Sequence, residues 1–133
     1  MIVLGKPNLK VLLAALVVYA VVDGAWLKHA FKKNWYPAVD HNDQRKMIVG
    51  AAVGWAALAF GHSTQKSRLD STLNEQMMFG AGIGLVAYGV YNGTEYAIRK
   101  DWTRTVALRD IAWGTGLSAL VAAALYCCRD KLE

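Results

Sequence analysis

Acidic and amide side chains stand inside segments of this chain that are otherwise apolar. Asp23 follows an apolar run over 11–22, Asn92 and Glu95 interrupt a run that ends at Ile98, and Asp110 stands near the start of the last run. A carboxylate at membrane depth costs at least roughly 2.5–3.5 kcal/mol on insertion scales, so such a group usually faces the protein interior and has a partner. These are the side chains that could bind a cation, a proton or a polar headgroup.

The spacing of the polar residues in the third run predicts one helical face. Tyr88, Tyr91, Asn92 and Glu95 stand at i, i+3, i+4 and i+7. Such a face would be unfavourable against lipid, so it is predicted to point into the protein, with Tyr88 or Tyr91 donating to a carboxylate. The predicted intramembrane polar cluster consists of Asp23, Tyr88, Tyr91, Asn92, Glu95 and Asp110.

Two interpretations of this cluster stay open at the level of sequence. In one, it is a satisfied hydrogen-bond network that maintains the register of the helices. In the other, it binds a cation, a proton or a headgroup, with Arg99 and Arg109 as the nearest counter-ions.

Composition indicates a membrane protein of one domain, 1–133. Hydrophobic residues make up 55% of the 133 residues, and the mean hydropathy is +0.22. Roughly 45–50% apolar residues is usual in soluble domains. The net charge of +5 comes from basic residues that flank the apolar runs. In such positions basic residues orient membrane helices and contact anionic lipid headgroups, so they do not indicate binding to nucleic acid. Nine of the 15 Lys and Arg residues fall beside the Lys28–Lys46 and Arg99–Arg109 loops, which favours a cytoplasmic location for those loops.

Four apolar runs predict an all-α fold, an integral membrane four-helix bundle that is antiparallel, with both termini on the same side. Lipid offers no backbone hydrogen-bond partners, so each run is expected to be helical. Thr72 and Glu75 form a capping-box pattern before the third run, Asp101 or Thr103 is expected to cap the fourth, and Asp40 or Asn42 the second. The predicted helices cover about 9–31, 42–61, 73–98 and 103–128.

Small and aromatic residues predict how these helices pack. Glycines four residues apart share a helical face and permit close approach of another backbone, either within the bundle or from another subunit. These helix-packing residues are Gly50, Gly54, Gly80, Gly84, Gly89 and Gly93. Aromatic residues near the ends of the runs are interpreted as anchors at the membrane interface rather than as ligand-stacking rings; they are Trp26, Trp35, Tyr36, Trp102 and Trp113.

No motif of an enzyme or a metal site is visible in the sequence. His29, His41 and His62 are scattered, and none has Cys, Asp or Glu at a recognised ligand spacing. Cys127 and Cys128 are neighbours, interpreted as small apolar residues or as a palmitoylation site. We therefore expect no catalytic residue, no metal and no cofactor.

Three stretches carry a resemblance to a known family. They are Asp23-Gly24-Ala25-Trp26-Leu27, then Tyr88-Gly89-Val90-Tyr91-Asn92-Gly93-Thr94-Glu95, and Asp110-Ile111-Ala112-Trp113-Gly114-Thr115. In these residues, together with Tyr36 and Trp102, the chain resembles the DUF2177 family of small predicted membrane proteins. That family typically has Tyr-x-x-Tyr-Asp-Leu-Thr-Asn in its third helix, so Asn92 and Glu95 stand where the family has Asp and Asn. The resemblance implies a four-helix membrane fold and no particular activity. Similar proteins occur in bacteria, large DNA viruses and algae.

Two functions are compatible with these observations. The first is a non-enzymatic structural or accessory subunit of a membrane-bound assembly, such as a viral inner membrane beneath a capsid or an organellar complex. Its partners would be the lipid bilayer, other membrane or capsid subunits, or further copies of the chain in a homo-oligomer. The alternative is a small proton- or cation-coupled transporter that uses the carboxylates, with Glu95 and Asp110 as the ion-binding pair.

Overall fold

The computed structural model describes residues 4–37, 44–65 and 68–133, and these are all helical apart from their connections. Four long helices are followed by one short turn of helix. They are α1 (Leu9–Lys32), α2 (Gln44–Ser63), α3 (Leu73–Ile98), α4 (Arg104–Cys127) and α5 (Arg129–Leu132). The only pairing of extended backbone in the described part is an isolated bridge between Leu4 and Gln65.

Polar side chains begin three of the long helices. The side chain of Asn8 accepts from the amides of Lys10 and Val11 at the start of α1. The predicted capping box of α3 is confirmed, because Thr72 and Glu75 bond each other's backbone amides. Thr103, one of the two residues expected to cap α4, accepts from the amide of Val106. The caps expected for α2 lie outside the described residues.

The contact between α3 and α4 is formed by two ridges of residues spaced four apart. Gly80, Gly84, Tyr88 and Asn92 on α3 face Ala122, Ser118, Gly114 and Asp110 on α4, in antiparallel order. A Cβ on Gly84 would lie 2.2 Å from the carbonyl oxygen of Gly114, and one on Gly80 would lie 2.3 Å from that of Ser118. The two backbones therefore approach so closely that only glycine fits at these positions.

The other four predicted packing glycines have no such neighbour. An added Cβ on Gly50, Gly54, Gly89 or Gly93 would meet nothing within 4 Å. The physical reason on α3 is rotation, since a residue one position along a helix is turned about 100° away from the face of its predecessor. Gly89 and Gly93 thus follow the ridge of Tyr88 and Asn92 but face outward.

Both ends of the described chain lie at the same end of the bundle as the connection between α2 and α3. The side-chain amide of Asn8 donates to the carbonyl of Leu132, and the Gly5 amide donates to the carbonyl of Thr64. Arg68, almost fully buried, donates to the carboxylate of Glu133 over 3.1 Å. Burial at this site lowers the pKa of the Arg68 guanidinium, and the ion pair with Glu133 opposes that effect.

The bundle buries polar side chains and exposes apolar ones. On α1, Leu13, Val17 and Val21 are 52–66% exposed. The buried polar and charged side chains come from all four long helices and from the connection between α2 and α3. They are Asp23, His62, Ser63, Gln65, Arg68, Gln76, Asn92, Asp110 and Ser118. In the described residues, two helices are long and apolar enough to cross a membrane, α1 and α4.

Candidate functional site

Asp23 is held by two tryptophans from different helices. It lies on α1 and is 7% exposed. The indole nitrogens of Trp55 on α2 and Trp113 on α4 each donate to one of its carboxylate oxygens over 2.9 Å. Three helices thus meet at one acidic side chain.

Asp110 is held by a phenol and an amide. It lies on α4 and is 6% exposed. The hydroxyl of Tyr36, in the segment after α1, donates to Oδ1 over 2.6 Å, and Nδ2 of Asn92 on α3 donates to Oδ2 over the same distance. Asn92 also donates to the carbonyl of Tyr88 and accepts from the indole of Trp102, so its side-chain oxygen and nitrogen are both satisfied.

Trp26 connects the surroundings of the two acids. Its ring stacks on Trp113, the donor to Asp23, with centroids 4.2 Å apart and planes within 9°. Its indole nitrogen donates to the hydroxyl of Tyr36, the donor to Asp110, over 3.0 Å. We call this set the aspartate cluster; it consists of Asp23, Trp26, Tyr36, Trp55, Asn92, Trp102, Asp110 and Trp113.

The arginines expected as counter-ions are engaged elsewhere. Arg99 bonds Asp101 over 2.8 Å and Glu95 over 3.3 Å, and the guanidinium of Arg109 lies over the ring of Trp35 at 4.8 Å. In the described residues, no Lys, Arg or His forms an ion pair with either acid of the cluster. The hydrogen bonds from Arg99 lower the pKa of the Asp101 carboxyl, outside the helices.

A cleft of about 700 Å³ adjoins the cluster. The two carboxylates, of Asp23 and Asp110, both line it. Apolar side chains of α2 and α3 form its walls, and rings from several elements surround the acids. The aromatic side chains that line it are Phe31, Tyr36, Trp55, Tyr88, Tyr91 and Trp102.

The structure brings only part of the predicted polar cluster together. Asp23, Asn92 and Asp110 converge, and Tyr88 lines the cleft with its ring against Gly114. Tyr91 lines the same cleft but is half exposed. Within the described residues, neither tyrosine donates to a carboxylate; the donors are Tyr36 and the indoles of Trp55 and Trp113, together with Asn92. Glu95 lies outside the cluster, since Arg99 one turn further along satisfies it locally.

Four of the five aromatic residues predicted as interface anchors have their polar atoms bonded within the aspartate cluster. Trp26, Tyr36, Trp102 and Trp113 direct their polar atoms inward to the cluster. Trp35 packs against Trp26 at the cluster's edge. A buried carboxylate needs donors, and an indole supplies one without adding a charge.

Sequence reasoning missed Trp55 and a second polar layer. Trp55 gave no signal apart from its place in an apolar run. The second layer lies nearer the chain termini, where the hydroxyl of Tyr19 lies 2.9 Å from Nε2 of His62 and donates to Ser118 over 2.7 Å. Tyr19 and Asp23 lie on one buried face of α1 with Val11 and Ala15, each four residues from the next. That periodicity was the signal in the sequence that could have revealed the second layer.

No metal site is assembled in ranges 4–37, 44–65 and 68–133, where no three His, Cys, Asp or Glu side chains lie together. Cys127 and Cys128 are exposed free thiols.

Together, the geometry defines a helical bundle that buries a set of polar side chains beside its hydrophobic core and exposes many apolar ones. The chain belongs to the DUF2177 family, described as predicted membrane proteins, whose sequence profile matches residues 8–127. Comparison with curated proteins and with solved structures finds no match.

We expect Tyr36→Phe to lower the free energy of unfolding by about 1–3 kcal/mol, because it removes a donor to Asp110 and leaves Trp26 without an acceptor. Thermal unfolding of the purified protein in mild detergent measures this. Tyr96→Phe is the control, since Tyr96 is 53% exposed and is expected to change stability by less than about 0.5 kcal/mol. Equal effects of the two substitutions would contradict the role of the Tyr36 hydroxyl.

Proposed function

We propose that this family member is a multi-pass membrane protein in which all four long helices cross the bilayer. The observation that carries this proposal is the large number of exposed aliphatic side chains on the long helices, on a bundle that buries acids and amides. Exposed apolar surface of this extent marks contact with a membrane or a partner. The shortest long helix, α2, has 20 residues, which is about 30 Å at 1.5 Å per residue and matches the hydrocarbon core.

Single-cysteine labelling tests this topology. In a Cys127→Ser, Cys128→Ser background, cysteine is introduced at Lys33, Asp70 or Lys100, all exposed positions in connections or at a helix end. Sealed vesicles are treated with a membrane-impermeant maleimide. Four crossings place position 70 on the opposite side from positions 33 and 100. If position 70 is labelled from the same side as the other two, α2 and α3 do not cross and the proposal is wrong.

The role that fits this architecture is a non-enzymatic accessory or structural subunit of a membrane-bound assembly, such as a viral inner membrane or an organellar complex. The supporting observation is a pair of open glycine faces, Gly50 with Gly54 and Gly89 with Gly93, that no part of the described chain covers closely. A groove of about 360 Å³ runs beside the second face. Small residues on a lipid-facing helix allow another helix to pack closely.

The assembly state of the native protein tests the subunit role. In mild detergent, we expect the wild type to run as a complex larger than one chain and to crosslink to neighbours in its membrane. Gly89→Leu with Gly93→Leu should release the chain as a monomer. Val90→Leu, a change at an exposed position of the same helix, should leave the complex intact. A wild-type protein that is a lone monomer without crosslinks would exclude this role.

A second candidate is a proton- or cation-coupled transporter, favoured by one observation. Asp23 and Asp110 reach the cleft without an ion-pair partner in the described chain. The ion-binding pair of this candidate is therefore Asp23 with Asp110, in place of the pair Glu95 with Asp110. In proteoliposomes with a lumenal pH dye, Asp110→Asn should abolish proton flux and Glu95→Gln should retain it. Equal flux in the wild type and Asp110→Asn would rule this candidate out.

A further inference from the structure

We propose that the cleft beside the aspartate cluster binds an amphiphilic cation, a molecule with one alkyl-ammonium head and an aliphatic tail. This inference goes beyond the subunit role and does not depend on it. It rests on the cleft's size and walls, on the two acidic side chains that line it and on the rings around those acids.

The cleft has the dimensions and walls of a site for a small amphiphile. Its volume of about 700 Å³ lies within the roughly 300–1,000 Å³ of typical small-molecule sites. Leu58, Ile83 and Val86 line the part away from the acids. These aliphatic side chains offer an aliphatic tail the same surroundings as lipid, so the tail has no solvation penalty there.

The end of the cleft near Asp23 and Asp110 presents two acidic side chains that have no cationic partner in the described residues. Both side chains are more than nine-tenths buried, and the four side chains of the described residues that donate hydrogen bonds to them are all neutral groups. A buried charge is costly unless an opposite charge or a metal pairs with it. Each carboxylate oxygen accepts one such bond and retains further acceptor capacity. A cationic head in the cleft would therefore gain a partner that the described chain does not supply.

Aromatic rings at the same end favour an alkylated ammonium over a bare metal ion. Tyr36, Trp55, Tyr88 and Trp102 all line the cleft near the acids. The faces of such rings attract organic cations, and cages of rings are a recurrent solution for quaternary ammonium groups. Arg99, which also lines the cleft, is already bonded to Glu95 and Asp101, so it offers little to an anionic head. Together, acids and rings select against fatty acids and against neutral alcohols.

Binding is tested with three probes of one chain length: decyltrimethylammonium, decanol and decanoate. The full chain is placed in nanodiscs of neutral lipid, and quenching of intrinsic tryptophan fluorescence is titrated, with empty nanodiscs correcting for partition. We expect saturable binding of the ammonium, and binding at least about tenfold weaker for the alcohol and the carboxylate. Equal apparent affinities for the ammonium and the alcohol would show apolar partition and overturn the proposal.

Variants separate the charge of the site from its shape. Asp110→Asn should weaken ammonium binding by about tenfold or more, whereas Glu95→Gln, at the ion pair with Arg99, should bind as the wild type does. Ala87 lines the cleft, is exposed and does not belong to the aspartate cluster. Ala87→Phe is designed to fill the cleft and should abolish binding even if Asp110→Asn folds poorly. Unchanged binding in Ala87→Phe, or equal losses in Asp110→Asn and Glu95→Gln, would refute the site.

Discussion

Gly84→Ala should destabilise the bundle by about 3 kcal/mol, because the added methyl would overlap atoms that have little room to move. The new Cβ would lie 2.2 Å from the carbonyl oxygen of Gly114 and 2.8 Å from the hydroxyl of Ser118. The first of these atoms is backbone, so α3 and α4 must separate to admit the methyl group. The free energy of unfolding is measured by denaturant titration in mixed micelles, followed by helical circular dichroism.

Gly82→Ala is the matched control for this prediction. Gly82 lies on the same helix, and a Cβ there would meet nothing within 4 Å. Alanine is a better helix former than glycine, so this change should leave stability unaltered or raise it by about 0.5–1 kcal/mol. The two substitutions add the same atom with opposite expected signs. Equal unfolding midpoints would mean that α3 and α4 do not approach as closely as the structure shows.

Trp113→Ala should lower the free energy of unfolding by about 3–5 kcal/mol. The substitution removes the ring that stacks on Trp26 and one of the two indole donors to Asp23. The substitution leaves a half-buried cavity and a buried carboxylate with one hydrogen-bond donor fewer. Both effects destabilise the folded state. The same titration in mixed micelles measures the loss.

Two further variants divide this effect into its parts. Trp113→Phe keeps a ring against Trp26 and removes only the donor, so about 1–3 kcal/mol should be lost. Trp35→Ala, at the cluster's edge, should cost less than Trp113→Ala, since the structure shows no hydrogen bond from its indole to the described residues. If Trp113 were an interface anchor facing lipid, the two alanine variants would be equally mild.

Helix positions and caps follow from local chemistry, and much of them was accessible from the sequence. The observed helices Leu73–Ile98 and Arg104–Cys127 lie within a residue of the predicted ranges, because apolar runs bounded by capping residues specify helix ends locally. The depth of the acids also follows from the chain, since each helix reverses direction and rises 1.5 Å per residue. Asp23 and Asp110 therefore had to lie in the same half of the bundle.

The rotation of each helix about its axis was not accessible in the same way. Four of the chain's five tryptophans donate to the aspartate cluster, yet an indole near a helix end is equally compatible with an outward position at a membrane interface. The glycines also show that the sequence does not reveal which face of a helix is buried. Gly84 and Gly89 belong to identical four-residue spacings, and only the partner helix selects which of the two faces is buried.

The sequence by itself determined four helices, the caps of α3 and α4, the antiparallel order of the helices and the depth at which acidic side chains stand, because each of these depends on neighbouring residues and on chain direction. Tertiary structure alone decided which groups satisfy Asp23 and Asp110, and that an open cleft adjoins the two acids. Those outcomes depend on the rotation and neighbours of whole helices. They are set by the fit of distant residues, such as Gly84 against Gly114, which no single segment encodes.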